Sequence, residues 1–170
     1  MKFNVASLLK EHTGASREHA LDEDVNIDGA ARHVTGHARF DRTPDGILAR
    51  VRVHGSEQGE CSRCLKPLAV PVDVTFEEEF LPIVDVDTGA RIEPPEGQED
   101  AYRIDARHML DLAEPVRQYW SMALPMAPLC EEGCAGICPV CGKDRSSSGH
   151  DCIGEQVDSR WSELSKLKLR

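Results

Sequence analysis

The spacing of the cysteines constrains this chain more than any other feature. The 170-residue sequence contains seven cysteines. One pair reads Cys61-Ser62-Arg63-Cys64, and Cys152 follows His150 near the C-terminus. Between them lies a C-x3-C-x3-C-x2-C pattern formed by Cys130, Cys134, Cys138 and Cys141. Structural zinc is held by four Cys or His ligands in a tetrahedron. Cysteines at such short spacings therefore predict that the C-terminal segment is organised by metal.

The four cysteines between positions 130 and 141 are the zinc ligands that the spacing predicts first. Gly142 directly after Cys141 lets backbone amides point at the sulfurs, as in a zinc knuckle. Residues 125–157 contain few large apolar side chains, so they need another source of stability. A structural zinc site contributes about 10–16 kcal/mol of apparent binding energy. Four further residues are candidate ligands: His150, Cys152, Cys61 and Cys64. Together the eight ligands suffice for two zinc sites, although the sequence does not show how they pair.

Other cysteine chemistries fit the sequence less well. Cys134, Cys138 and Cys141 match the iron–sulfur motif of radical SAM enzymes, but those enzymes place it early in a large β/α barrel. A thioredoxin-like pair needs a helix directly after it, whereas Leu65-Lys66-Pro67 and another strand follow Cys64. Cys61 and Cys64 can either complete a zinc site or pack as buried thiols, and both interpretations stay open on spacing alone.

Charge and composition narrow the functional class. The formal charge of −10 argues against a broad nucleic-acid-binding face, because such faces need positive potential near phosphates. Positive charge is local, and the residues predicted to contact RNA as one patch are Arg50, Arg52, Arg63 and Lys66. Alternatively, these charges only keep the protein soluble. The sequence shows no cleavable hydrophobic leader and no run near the roughly 18 apolar residues of a membrane span. We therefore expect a cytoplasmic protein with reduced thiols.

Hydrophobic periodicity predicts an antiparallel sheet. Apolar residues alternate with polar ones from Ala31 to Asp41 and again from Ile47 to His54, with a turn signal at positions 43–46. The clearest strand runs from Leu68 to Phe80, where Pro71 suggests an edge position. Residues 4–12 predict a short helix, and residues 102–104 one short strand. This alternation is typical of half-buried strands.

The remaining elements complete an α+β prediction: a meander or barrel-like antiparallel sheet with one main C-terminal helix and a zinc-bound segment. The acidic residues 85–100 predict a solvated loop. Asp105 is a suitable N-cap for a helix running to about Leu124, with Pro115 at a kink or near the first turn. We therefore predict a body over residues 1–124 and a cysteine-rich segment over residues 125–170 that ends in a short helix after Asp158.

The order of motifs resembles the YceD family of large ribosomal RNA subunit accumulation proteins. The motifs are N-V-A-x-L-L-K, E-C-S-R-C-L, L-P-M-A-P-L-C, C-A-G-I-C-P-V-C-G and D-S-R-W-S-E-L-S-K-L, and they span nearly the whole chain. The resemblance implies a role in accumulation or processing of 23S ribosomal RNA, with pre-ribosomal particles or a basic ribosomal protein as partners. His150 and Cys152 stand where relatives carry a Cys-x-Cys or His-x-His pair, and Ser159 replaces a frequent proline. Relatives without the C-terminal cysteines keep the C-x2-C pair, which favours buried thiols at Cys61 and Cys64.

No catalytic residues are implied by the resemblance, and no Ser/His/Asp set, Gly-rich phosphate loop or motif-placed carboxylate pair stands out in the sequence. We therefore expect a non-enzymatic ribosome-biogenesis factor. Two alternatives remain: an RNA-processing or thiol-redox enzyme, and a zinc scaffold unrelated to ribosomes.

Overall fold

A computed structural model describes residues 1–93, 95, 97–98, 100–145 and 152. These residues fall into two compact units. The sheet unit comprises Met1–Gln58 with Ala69–Met126, and the cysteine unit comprises Gly59–Leu68 with the residues from Ala127 onward. The helix expected after Asp158 and the candidate ligand His150 lie outside the described residues.

The sheet unit is built mainly from long strands. A five-stranded sheet has the order β2-β3-β4-β5-β6, and β1 pairs with β7 in a separate two-stranded sheet. β6 runs parallel to the end of β5, which departs from the purely antiparallel prediction. The α+β class and the meander are confirmed. The elements are β1 (Lys2–Asn4), α1 (Ala6–Leu9), β2 (Ser16–Ile27), β3 (Ala30–Arg42), β4 (Ile47–Glu60), β5 (Pro67–Pro82), β6 (Tyr102–Ile104), β7 (Met109–Asp111) and α2 (Ala113–Ala123).

The core follows the predicted alternation in β3, β4 and β5. Each of these strands turns every second side chain into the core, as the two-residue period of a strand requires. Trp120 of α2 is fully buried in the same cluster. The inward side chains of the three strands are Val34, Ala38, Phe40, Ile47, Ala49, Val51, Val53, Val72, Val74, Phe76 and Phe80. β6 pairs only with Phe80–Pro82, so Pro71 lies where β5 has no described partner on that side, as its edge prediction requires.

The helix predicted to begin after Asp105 begins later. The Asp105 carboxylate accepts backbone N–H groups of Arg107 and Met109 at 2.8 and 2.9 Å, so it closes a turn and does not cap a helix. A short strand, β7, follows, and α2 starts only at Ala113. Pro115 then falls in the first turn of α2, where the missing N–H leaves no helical hydrogen bond broken. α1 is likewise shorter than the predicted helix over residues 4–12.

Part of the acidic segment 85–100 forms a turn of its own. The carboxylate of Asp85 accepts the backbone N–H groups of Asp87 and Thr88 at 3.1 and 2.7 Å. Ile92 donates its backbone N–H to Ile83 O at 3.0 Å, which folds the segment back on itself. The hydrogen bonds from Thr88 and Asp87 hold the pKa of Asp85 below its ordinary value. The described part of this segment thus contains a hydrogen-bonded turn whose residues 87–93 are exposed, and the solvated loop over 85–100 stays a prediction.

Candidate metal centre

The first cluster of thiols joins the C-x2-C pair to two C-terminal cysteines. The Sγ atoms of Cys61, Cys64, Cys130 and Cys134 all lie within 4.8 Å of one another. Cys61 and Cys134 approach to 3.8 Å, and Cys64 and Cys130 to 3.6 Å. Tetrahedral zinc with bonds near 2.3 Å places its sulfurs about 3.8 Å apart. The four thiols therefore have the geometry of a single four-coordinate site, and we call them the four-cysteine cluster.

The first knuckle positions two of these thiols through backbone hydrogen bonds. Cys61 donates its N–H to Lys66 O at 2.9 Å, and Leu65 donates its N–H to Cys61 O at 2.9 Å. Closing this tight turn puts Leu65 in the left-handed region with φ of 60°. Cys61 and Cys64 thus leave one turn side by side, as two ligands of one ion must.

The second knuckle repeats the first almost bond for bond. Cys138 donates its N–H to Lys143 O at 2.7 Å, and Gly142 donates its N–H to Cys138 O at 2.8 Å. Gly142 has φ of 70°, the counterpart of Leu65 in the first turn. In addition, the N–H of Val140 points at Cys138 Sγ at 3.4 Å. Backbone amides directed at a cysteine sulfur favour its thiolate form, which is the form that binds metal.

A second cluster gathers around this knuckle. The Sγ atoms of Cys138, Cys141 and Cys152 lie within 4.8 Å of one another; we call them the three-cysteine cluster. Cys138 is buried, whereas Cys141 and Cys152 are exposed. The backbone amide of Cys141 lowers the pKa of Cys138. The hydrogen bond between the Cys152 and Cys141 side chains raises the pKa of Cys152 to about 11.

The four-cysteine cluster shows the same division between easily and poorly ionised thiols. Backbone N–H groups, that of Cys130 first, lower the pKa of Cys61 to about 6. Hydrogen bonds from the Cys130 thiol to Cys134 and Cys64 raise the pKa of Cys130 to about 12. Neighbouring thiols oppose one another's ionisation because like charges repel at this distance. A divalent cation removes that repulsion, so the arrangement suits a metal ion better than four free thiols.

Arg63 connects the first knuckle to the segment that leads into the second. Its carbonyl accepts the N–H of Ile137 at 3.1 Å, and its guanidinium donates to Cys134 O at 3.0 Å. Gly136 lies so close that an added Cβ would sit 3.0 Å from Arg63 O, and its φ of 73° also favours glycine. The short link between Cys134 and Cys138 is therefore held against the first knuckle.

The predicted zinc ligands are therefore brought together, but in an arrangement the spacing did not reveal. Cys130 and Cys134 group with Cys61 and Cys64, whereas Cys138 and Cys141 group with Cys152. This geometry favours the shared-site interpretation of Cys61 and Cys64 over the buried-thiol prediction, although both are indeed buried. A repeat in the sequence carried the signal: C-S-R-C-L-K and C-P-V-C-G-K share the spacing C-x2-C-x-K.

The predicted RNA-contact residues differ in how strongly they are paired. In the sheet unit, Arg50 forms ion pairs with Asp41 and Glu77, and Arg52 has no ion pair with a described acid. In the cysteine unit, Lys66 is paired with Asp144, whereas the Arg63 guanidinium donates to the Cys134 carbonyl and forms no ion pair with a described acid. Whether the four form one patch stays a prediction.

The position of Leu65 gives a direct test of the knuckle. A non-glycine residue in the left-handed region costs about 1–2 kcal/mol, and Leu65 is 57% exposed, so no core packing compensates. Leu65→Gly should therefore stabilise the folded cysteine unit by roughly 0.5–1 kcal/mol. This figure is the relieved strain minus the larger conformational entropy that glycine has in the unfolded chain. The measurement is the chelator concentration that removes half of the bound metal.

Val140→Gly is the matched control, because Val140 is also an exposed aliphatic residue inside a knuckle but is not among the residues with positive φ. It should weaken retention. Equal weakening by both variants would contradict the strain assignment at Leu65.

Sequence comparison places these cysteines in a known family. The family model described as Large ribosomal RNA subunit accumulation protein YceD matches residues 49–168, a range that includes all seven cysteines. The chain belongs to the YceD family. This confirms the resemblance seen in the motif order.

Curated relatives come from mycobacteria. The uncharacterized protein Rv2926c of Mycobacterium tuberculosis (strain ATCC 25618 / H37Rv) is 32% identical over 130 residues, which is 76% of this chain and 59% of that protein. The uncharacterized protein ML1660 of Mycobacterium leprae is 26% identical over 133 residues, covering 76% and 56% respectively. The YceD chain thus spans less than two thirds of these relatives. No solved structure matches it, and no described helix has both the length and the apolar character to cross a membrane.

Proposed function

We propose that this YceD protein is a cytoplasmic, non-enzymatic ribosome-biogenesis factor that supports accumulation or processing of 23S ribosomal RNA. The family match over residues 49–168 carries the proposal. The matched range contains both knuckles, so the shared family region coincides with the metal-binding candidate in this chain. We further propose that the cysteine unit is held together by structural zinc.

Zinc fits the donor set better than magnesium or calcium. The four-cysteine cluster offers only sulfur at tetrahedral spacing, and thiolates select zinc and iron–sulfur clusters over magnesium or calcium. The four thiolates would complete the coordination of zinc and leave no open position for substrate, as in structural sites. Its role is then to fix the turn that carries Arg63 and Lys66 against the C-terminal segment.

The polar groups of the described residues support a non-enzymatic role. Active sites bury ionisable groups and shift their pKa values for acid–base work. Among the described residues, none of the buried ones is polar or charged apart from four cysteines, and the one buried side-chain N or O atom without a hydrogen-bond partner is Nδ1 of His108. The carboxylate whose pKa is lowered most is Glu114, and the cause is its hydrogen bonds with Arg117 and Gln118 on the surface of α2.

The charge of the chain determines the kind of contact it can make. A formal charge of −10 repels bare RNA, so binding to RNA alone should be weak and sensitive to salt. An acidic surface also attracts basic proteins, and ribosomal particles present both components. Arg52 and Arg63, which form no ion pair with described acids, are the cations best able to meet phosphate. We propose that the chain joins a pre-ribosomal particle through protein and RNA contacts together.

A deletion strain tests this proposal. Removing the gene should lower the ratio of 23S to 16S ribosomal RNA, and the wild-type chain should restore it. Cys134→Ser should restore it poorly, because it breaks the four-cysteine cluster. Ser62→Ala, which changes a non-ligand position of the first knuckle, should restore it fully.

The alternatives predict different results. An unchanged ratio of 23S to 16S RNA in the deletion strain would favour a zinc scaffold unrelated to ribosomes. Purified wild-type protein that shortens a 23S precursor by itself would favour an RNA-processing enzyme.

A further inference from the structure

We propose that the cysteine unit holds two zinc ions of unequal character. The first is bound by the four-cysteine cluster. The second is bound by the three-cysteine cluster with a fourth ligand that is not a cysteine, and it exchanges faster than the first. The inference rests on the zinc assignment of the proposed function and is independent of the ribosomal role.

The count of thiols separates the two sites. The chain has seven cysteines, and the two clusters use every one of them, four in the first and three in the second. No Sγ atom remains to complete the second tetrahedron. Because structural zinc takes four ligands, the second ion must accept a nitrogen, an oxygen or water in its last position.

The knuckle geometry shows that the three-cysteine cluster is a built site. Its two backbone hydrogen bonds, from Cys138 N–H to Lys143 O and from Gly142 N–H to Cys138 O, match those of the first knuckle within 0.2 Å. The Val140 N–H directed at Cys138 Sγ is a further bond to a ligand atom. The turn therefore presents the thiols of Cys138 and Cys141 in the same way as the four-cysteine site presents its own pair.

Exposure makes the two sites unequal. Three of the four thiols in the first cluster are buried, whereas two of the three in the second are exposed. Val140, between Cys138 and Cys141, is 65% exposed. A chelator or a competing thiol reaches a ligand only where water does, so metal should leave the exposed site first.

The two sites also differ in how far apart along the chain their ligands lie. Cys64 and Cys130 are separated by 66 positions, and their approach depends on the fold between them. Cys138 and Cys152 belong to one local segment, and closing such a short loop costs little entropy. The second site should therefore form even when the first is destroyed, at least as a weak site.

Native mass spectrometry of the full chain, purified anaerobically without chelator, tests the count. Wild type should carry two zinc ions. Cys152→Ser should carry one, and Val140→Ala, a non-ligand change in the same knuckle, should carry two. A wild-type protein with one ion would overturn the second site alone, whereas a protein with none would overturn the zinc assignment of the proposed function.

Release kinetics test the inequality. Excess chelator should remove zinc from wild type in two phases of equal amplitude, with rates that differ at least about tenfold. The fast phase should disappear in Cys152→Ser and persist in Val140→Ala. A single phase in wild type, or a fast phase that survives Cys152→Ser, would overturn the assignment. Substituted cobalt adds a spectroscopic readout, because Cys152→Ser should lose only the absorption of the site with three thiolates.

Discussion

Replacing Cys61 and Cys64 together by serine should release one zinc ion and unfold the part of the cysteine unit that the four-cysteine cluster holds. Two of the four ligands of the first site disappear, and serine hydroxyls do not replace thiolates at zinc. A structural zinc site contributes about 10–16 kcal/mol of apparent binding energy, comparable to the stability of a whole domain. Among its described residues, the cysteine unit has only a small apolar cluster, in which Leu68 and Leu129 pack against the thiols, so little of this part remains to hold it.

Limited proteolysis and metal analysis measure this effect. Residues 127–137 should become rapidly cleaved in the double variant, while the sheet unit keeps its far-ultraviolet circular dichroism. Ser62→Ala is the matched control and should leave both readouts unchanged. If Cys61→Ser with Cys64→Ser kept the full zinc content, the two thiols would be packed side chains, as the family resemblance suggested, and the four-cysteine site would be wrong.

The strands that were predicted correctly are those with a long row of apolar inward positions. In β4 the inward residues Ile47, Ala49, Val51 and Val53 are all aliphatic, and in β3 the row from Val34 to Phe40 is interrupted only at Gly36, so the two-residue period is plain. β2 lacks this signal. Of its twelve residues only Leu21, Val25 and Ile27 are buried, and Glu23 occupies an inward position between them at intermediate exposure. His19 and Glu23 both interrupt the inward row of β2, whereas β5 carries Glu78 only after five consecutive apolar inward positions.

Long-range pairing accounts for a second group of differences. β1 pairs with β7 in the register Lys2 opposite Asp111, and no local pattern predicts a partner more than a hundred residues away. That pairing also takes residues from the expected helix, since Met109–Asp111 form β7. Asp105 looked like a helix cap because the same carboxylate chemistry closes turns and caps helices.

The candidate metal site was predictable in its type of ligand and not in the pairing of its ligands. Short cysteine spacing reliably indicates thiolate ligands, and both knuckles have the geometry this implies. The pairing depends on which chain segments meet in space, and the loop between β4 and β5 supplies half of the first site. The first knuckle was also harder to predict from the sequence, because glycine is the residue expected at the left-handed position that Leu65 occupies. Gly142 holds the equivalent position in the second knuckle.

Trp120→Ala should destabilise the sheet unit by about 3–5 kcal/mol, the usual effect of removing a buried aromatic side chain. Trp120 is 0% exposed, and its Nε1–H donates to the Glu57 carboxylate at 3.3 Å. Glu57 also accepts from Arg32 Nε at 2.7 Å, so the ring anchors α2 both by packing and by a hydrogen bond to an ion-paired carboxylate. Gly55 lies directly beneath the ring, where a Cβ would be 2.6 Å from it.

Urea unfolding followed by circular dichroism measures the loss, since the signal of the sheet does not depend on the removed indole. Met122→Ala is the matched control: it lies on the same helix, is 76% exposed, and should change the free energy of unfolding by less than about 0.5 kcal/mol. Gly55→Ala should destabilise as well, because the new methyl group must displace the ring. Equal unfolding midpoints for Trp120→Ala and Met122→Ala would show that the packing of Trp120 contributes no stability to the sheet unit of this YceD protein.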